Sequence, residues 1–142
     1  MRELPKDFAE EIYIQDYIIK PKYDKVFDLS PAVAHKLIDA GVNTGTGRSS
    51  RWFQESLNGL NRGGKDYANI VVDGSVGSGT LNAYAKLQQV RGKVLACQMV
   101  IKIVDAKQAN HYLSLTNLKE FTPGWISHRI GNVPISKCED EK

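Results

Sequence analysis

Apolar positions recur along the chain with helical spacing, broken by short polar loops that carry Gly and Pro. From Lys6 to Ile19, Phe8, Ile12 and Ile19 lie near one helical face, and Ala9, Tyr13, Asp16 and Tyr17 form the neighbouring stripe. Pro21 stops that helix, because the residue before a proline is pushed out of the helical region. Ser30-Pro31 opens the next, with Ser30 as N-cap and Pro31 in the first turn, where a missing N–H costs nothing. Val33, Ala34, Leu37, Ile38 and Gly41 follow at helical spacing. Beyond the Thr44–Gly47 loop, Trp52, Phe53, Leu57 and Leu60 mark a third helix, which Gly63-Gly64 is expected to terminate. The β-branched run Ile70-Val71-Val72 before the Asp73-Gly74 turn predicts one short strand or hairpin. Ser78 or Thr80 caps a helix bearing Leu81, Tyr84, Ala85 and Leu87. The longest pattern, about 93 to 115, runs through Leu95, Met99, Ile103, Ala106 and Leu113, with Gly92 as a break before it. Thr122-Pro123 opens a last helix with Trp125, Ile126 and Ile130, and Ser136 to Lys142 reads as a solvated polar tail. The expectation is a mainly α fold with one short strand, in a single domain over 1–135.

Composition alters this little. The 142 residues are 42% hydrophobic and 25% charged, which suits a globular chain with its own core. The net charge of +3 is spread without a basic run, so the concentrated stripe of a nucleic-acid binder is absent and no such partner is expected. No apolar run reaches transmembrane length, and Met1–Pro5 does not read as a signal peptide, so cytoplasmic synthesis without membrane insertion is expected. Cys97 and Cys138 fit no metal spacing. Cys97, in an apolar helical stretch, reads as a buried free thiol, and Cys138 as part of the tail, which implies a reducing compartment of synthesis. His35, His111 and His128 are dispersed, so no metal site is expected. Ser49-Ser50 has no nucleophile-elbow context, and Gly45-Thr46-Gly47 lacks the Lys-Ser/Thr of a phosphate loop. No cofactor is expected.

Particular strings say more. Leu37-Ile38-Asp39-Ala40-Gly41-Val42-Asn43-Thr44-Gly45 resembles the Asp-x-x-Val-Asn-x-Gly signature of glycoside hydrolase family 108, the phage endolysin-like lysozymes. Trp52 to Asn58 is similar to the helix that follows there, with Gln54 and Leu57-Asn58 in place. Leu60 to Tyr67 looks like the family's Asn-rich loop, and Val72-Asp73-Gly74-Ser75-Val76-Gly77 like its Asp-Gly-x-x-Gly turn. Gly124-Trp125-Ile126-Ser127-His128-Arg129 is similar to its Gly-Trp-x-x-Arg closing helix, and Ala9 to Tyr17 to its Ala-x-x-Ile-Tyr-x-x-Asp-Tyr helix. Each motif alone is weak; their ordered succession over about 3 to 131 is strong.

The resemblance implies a lysozyme-like helical domain whose 39–131 part corresponds to a peptidoglycan-binding domain. It implies glycan strands as the partner, with possible release to the periplasm or cell wall by a holin. The family's general acid is a Glu in a Glu-Gly-Gly-Tyr motif on a preceding helix, and neither that motif nor the Gly-rich loop after it occurs in this sequence. Glycoside hydrolysis needs a proton donor at the glycosidic oxygen and normally a second carboxylate across the bond. No catalytic residue is therefore assigned. An exposed seam is expected where that helix would pack, suited to a partner polypeptide. Glu10 and Glu11 read as a solvated helical face rather than a relocated acid.

The substrate-binding candidates are Tyr13, Tyr17, Asp39, Asn43, Gln54, Trp125 and Arg129. Asp39 and Asn43 share a helical face and either line a glycan cleft or satisfy loop amides at the helix end. Asp73 is more simply a turn device than a ligand. Trp125 stacks on a sugar or joins the core, and Arg129 pairs with Asp39, with a wall carboxylate, or with a surface acid. Three roles stay open: a non-cutting wall binder, the distal part of a lysozyme completed upstream, and a phage scaffold reused to grip and inhibit a host protein.

Overall fold

The computed structural model describes the backbone of residues 4–141 and side chains from residue 9 onward. Met1–Glu3, Lys142 and the Phe8 side chain assigned above to an apolar face lie outside the described residues. Helix α1 (Leu4–Ile14) runs on into a π-helical segment (Gln15–Ile19). Then come α2 (Tyr23–Leu29), α3 (Pro31–Thr44), α4 (Thr46–Gly59), α5 (Ser78–Arg91) and α6 (Lys93–Ser114). A 3₁₀ helix (Thr116–Phe121), α7 (Thr122–Arg129) and a C-terminal 3₁₀ helix (Ile135–Glu141) complete the order.

Helix α6 is the axis of the core. Its Ala96, Cys97, Val100, Ile101 and Val104 are fully buried, and it packs on α3, α4, α5, α7 and the C-terminal 3₁₀ helix. Around it, α3 contributes Val33, Leu37 and Ala40, α4 contributes Phe53 and Leu57, and α5 contributes Tyr84 and Leu87. Burying one such large apolar side chain contributes about 1.5–3 kcal/mol.

Local signals set the breaks. The Ser30 backbone is extended, and its hydroxyl accepts the Val33 N–H at 3.2 Å, with Pro31 in the first turn of α3. Gly92, at φ 87°, donates its N–H to the Gln88 carbonyl and accepts the Ala96 N–H, so one residue closes α5 and opens α6.

Four expectations need correction. Among the described residues there is no strand. The backbone of Ile70 pairs with a side chain instead, donating to Asn58 Oδ1 (2.8 Å) and accepting from Asn58 Nδ2 (2.9 Å). With no neighbouring strand to complete a ladder, Val71 stays 76% exposed. Helix α4 ends at Gly59, not at Gly63-Gly64, and those glycines adopt positive φ within the following loop. The seven-residue helix α2, with Tyr23 and Val26 buried one turn apart, was not foreseen.

The fourth correction concerns the C-terminal end. Residues 135–141 are not a solvated tail: they form a 3₁₀ helix against α6, with Cys138 fully buried. Cys138 is bonded to Cys97 in a disulfide with Cα atoms 5.7 Å apart, so neither is a free thiol. Glu141 completes the clasp. Its carboxylate accepts from the Ser30 hydroxyl (2.7 Å) and the Ala32 N–H (2.9 Å), adding an anion at the N-terminus of α3.

Candidate functional site

Helix α3 carries Lys36 on the same side as Val33, Leu37 and Ala40, and only 1% of the lysine is exposed. A buried ammonium must be paired and hydrogen-bonded. Lys36 Nζ pairs with Asp105 Oδ1 of α6 at 2.6 Å and donates to Gln108 Oε1 at 2.8 Å. It also reaches the Arg129 carbonyl (3.1 Å) at the end of α7 and Asn132 Oδ1 (3.2 Å) beyond it. The Gly131 N–H adds a bond to Asp105 (3.2 Å), and the Asn132 amide donates to the Asp39 carboxylate. Three segments distant in sequence are tied at one point.

An aromatic strip continues from this knot. Gln108 Nε2 donates to the Tyr112 hydroxyl at 2.9 Å, which fixes the Tyr112 ring. Trp125 lies against that ring at 5.1 Å between centroids, and Phe121 lies 5.8 Å beyond Trp125. On the other side His111 is 6.0 Å from Tyr112 and 5.9 Å from Trp52. The Arg129 guanidinium stands over Tyr112 at 6.0 Å and Trp125 at 5.8 Å, within cation–π reach. Tyr112 is buried, Trp125 and Arg129 are half-buried, and Phe121 is 51% exposed. Burial lowers the His111 pKa below its ordinary value, and the Arg48 charge pushes it the same way.

The structure thus brings Trp125 and Arg129 together beside Tyr112, and links Asp39 to the same knot through Asn132. The Asp39–Arg129 pair is not formed, because Asp39 takes the Asn132 amide while Arg129 lies on the rings. Asn43 is half-buried one turn beyond Asp39 on α3. Tyr13 and Tyr17 pack with ring centroids 5.3 Å apart in a tilted arrangement, with Tyr13 on the exposed side of α1.

Gln54 serves a different structure. It is buried, and its Oε1 accepts the N–H groups of Asp73 (3.1 Å) and Gly74 (2.9 Å). Its Nε2 donates to Asp73 Oδ1 (3.0 Å), the Ser75 carbonyl (2.9 Å) and Thr80 Oγ1 (3.1 Å). The Gln54 amide, with the Ser75 N–H, holds the Asp73 carboxyl below the usual carboxylate range. Gly74 has φ 78°, and a Cβ there would meet the Gly47 carbonyl oxygen at 3.1 Å. The loop borders an open cleft of about 460 Å³ lined by Gln54, Asp73, Ser75 and Thr80. All this favours Asp73 as a turn device. Gln54→Leu is expected to strand the Asp73 and Gly74 amides and destabilise the fold by about 2 kcal/mol. A urea midpoint equal to that of wild type would count against it.

Lys36, Asp105, Gln108, Tyr112, Phe121 and Asn132 were not singled out in the sequence. One signal was available: a lysine three residues after Val33 and four before Ala40 sits within an apolar helical stripe. Among the described residues no cluster of three or more His, Cys, Asp or Glu is placed to hold a metal ion, and no helix is long and apolar enough to cross a membrane.

Fold and face together define a helical domain that presents aromatic rings and a guanidinium on a rigid polar frame. Residues 48–130, more than half of the chain, match the family described as "Predicted Peptidoglycan domain", and the chain belongs to that family. Residues 1–45 match the model for glycosyl hydrolase 108, in the order the motifs imply. No curated protein matches the chain.

Proposed function

We propose that the protein is an endolysin-related, phage-type binder of peptidoglycan that grips the wall with the α3–α6–α7 face and does not cut it unaided. One observation carries this reading: Phe121, Trp125 and Arg129 gather beside the buried Tyr112 ring, all inside the matched segment, with Asp39 joined to the same knot through Asn132. Aromatic faces suit the C–H faces of sugars, and the polar groups beside them suit hydroxyl and acetamido groups. The carboxylates at the face are committed acceptors, Asp39 to Asn132 and Asp105 to Lys36 and Gly131. A general acid has to carry a proton to the glycosidic oxygen, and neither is arranged for that. The disulfide suits work in an oxidising compartment outside the cytoplasm.

Purified sacculi test the reading by co-sedimentation. The wild type is expected to pellet, and W125A or F121A to bind about tenfold more weakly, about 1.4 kcal/mol. Wild type left in the supernatant defeats the proposal. Clearing of a sacculus suspension by the chain alone defeats its non-catalytic part.

A second reading is favoured by α1. Every residue from Ala9 to Asp16 is exposed, including Ile12, Tyr13 and Ile14, and among the described residues α1 packs substantially only on its own π-helical continuation. On this reading the apolar side of α1 is covered by a polypeptide that supplies the proton donor, making a composite lysozyme. An in-frame Glu-Gly-Gly-Tyr coding stretch next to this one supports it; lytic inactivity when the two products are mixed speaks against it.

A further inference from the structure

We infer that Arg129 receives a carboxylate of the peptide stem, so that the face reads the peptide-bearing unit of the wall and not the bare glycan. The inference rests on the peptidoglycan-binding reading above and specifies its ligand. Among the described residues, the Arg129 guanidinium has no ion pair and donates no hydrogen bond. Tyr112 and Trp125 lie within cation–π reach of it, and its N–H groups remain free to donate.

The acids that share this region are used elsewhere. Asp105 is bound to Lys36 and Gly131, and Asp39 to Asn132. With Asp39 and Asp105 bonded elsewhere, the half-buried guanidinium keeps its donors available to an incoming anion. Arg48, close enough to depress the His111 pKa, adds positive potential to the same strip. Its setting is ordered: Lys36 holds the Arg129 carbonyl, and two rings stand within cation–π reach of the guanidinium. A planar fork preorganised in this way suits bidentate carboxylate better than a sugar hydroxyl. In peptidoglycan the carboxylates sit on the peptide stems, while the glycan backbone is neutral once its lactyl groups are amide-linked to them. Phe121 and Trp125 then supply the surface against which the attached sugar lies.

The test compares three proteins on two walls. Wild type, R129Q and R129K are sedimented with sacculi freed of phosphate polymers, and with the same sacculi whose peptide carboxylates are capped as amides by carbodiimide and glycinamide. Wild type is expected to bind untreated sacculi about tenfold more tightly than capped ones, which corresponds to one charge-assisted pair. R129Q is expected to lose that preference and R129K to recover part of it, with thermal midpoints like the wild type. Equal binding of wild type to both walls overturns the inference and leaves the wall-binding reading standing. An R129Q protein that keeps the preference overturns it too. Failure of the wild type to bind either wall removes the wall-binding reading and this inference with it.

Discussion

Reduction of the Cys97–Cys138 bond is expected to lower stability by about 4 kcal/mol, the loop-closure value for cysteines this far apart in the chain. They are separated by 41 positions, and both sulfurs are fully buried between α6 and the C-terminal 3₁₀ helix. The loss is not confined to that helix. Glu141 caps the start of α3 through Ser30 and Ala32, so a released segment leaves the Ala32 N–H without its acceptor. Toward the N-terminus, Val133 is 1% exposed, and Asn132 next to it is one of the four acceptors around Lys36. Loosening the clasp therefore reaches the frame under Trp125 and Arg129. Two measurements check this: urea unfolding with and without a dithiol reductant, and sacculus binding under the same two conditions. Reduction should shift the unfolding midpoint downward and weaken binding together. Superimposable unfolding curves, with reduction verified by thiol titration, would defeat the expectation. C97S/C138S should reproduce the reduced protein without any reductant.

What the sequence made legible was what local chemistry decides. Ser30-Pro31, Gly92 and Thr122-Pro123 mark helix boundaries because a cap, a positive φ or a fixed φ acts within a few residues. Trp125 and Arg129 were each singled out, and their spacing of four puts them on one helical face, but their contact with each other was not anticipated. The failures are non-local. Ile70-Val71-Val72 has strand composition, but Asn58 and Gln54 on α4 take the backbone bonds a second strand would need. Nothing near Cys138 says that the chain turns back at Val133-Pro134 to bring it against α6. Helix α2 was missed because its seven residues offer just two buried positions, too few to establish a period. The role of Gln54 is non-local as well: its amide is spent on the 73–80 loop, which the sequence around it does not reveal. Tyr112 and Lys36 join the site through partners on other helices, which no single stretch of sequence reveals.

Lys36 is the residue whose loss should separate folding from binding. Lys36→Met keeps the aliphatic stem in the α3–α6 interface but removes the donor shared by Asp105, Gln108, Arg129 and Asn132. Breaking a buried ion pair by deleting one partner costs about 3–5 kcal/mol, because the surviving charge is left uncompensated. Asp105 keeps 17% of its side chain exposed, so solvent relieves part of this and the lower end, about 3 kcal/mol, is expected. The double variant K36M/D105L removes both charges. It should recover much of the lost stability, as apolar replacements of buried pairs commonly do. Binding should behave differently. In either variant the Arg129 carbonyl loses its bond to α3 and Asn132 keeps only the one to Asp39, so α7 loses much of the placement that sets Trp125 and Arg129 against Tyr112. Sacculus affinity should thus stay about tenfold low in the double variant even where its urea midpoint approaches that of wild type. Affinity that returns in step with stability would make Lys36 a folding residue alone. Stability regained without affinity would identify it as the residue that positions the binding face.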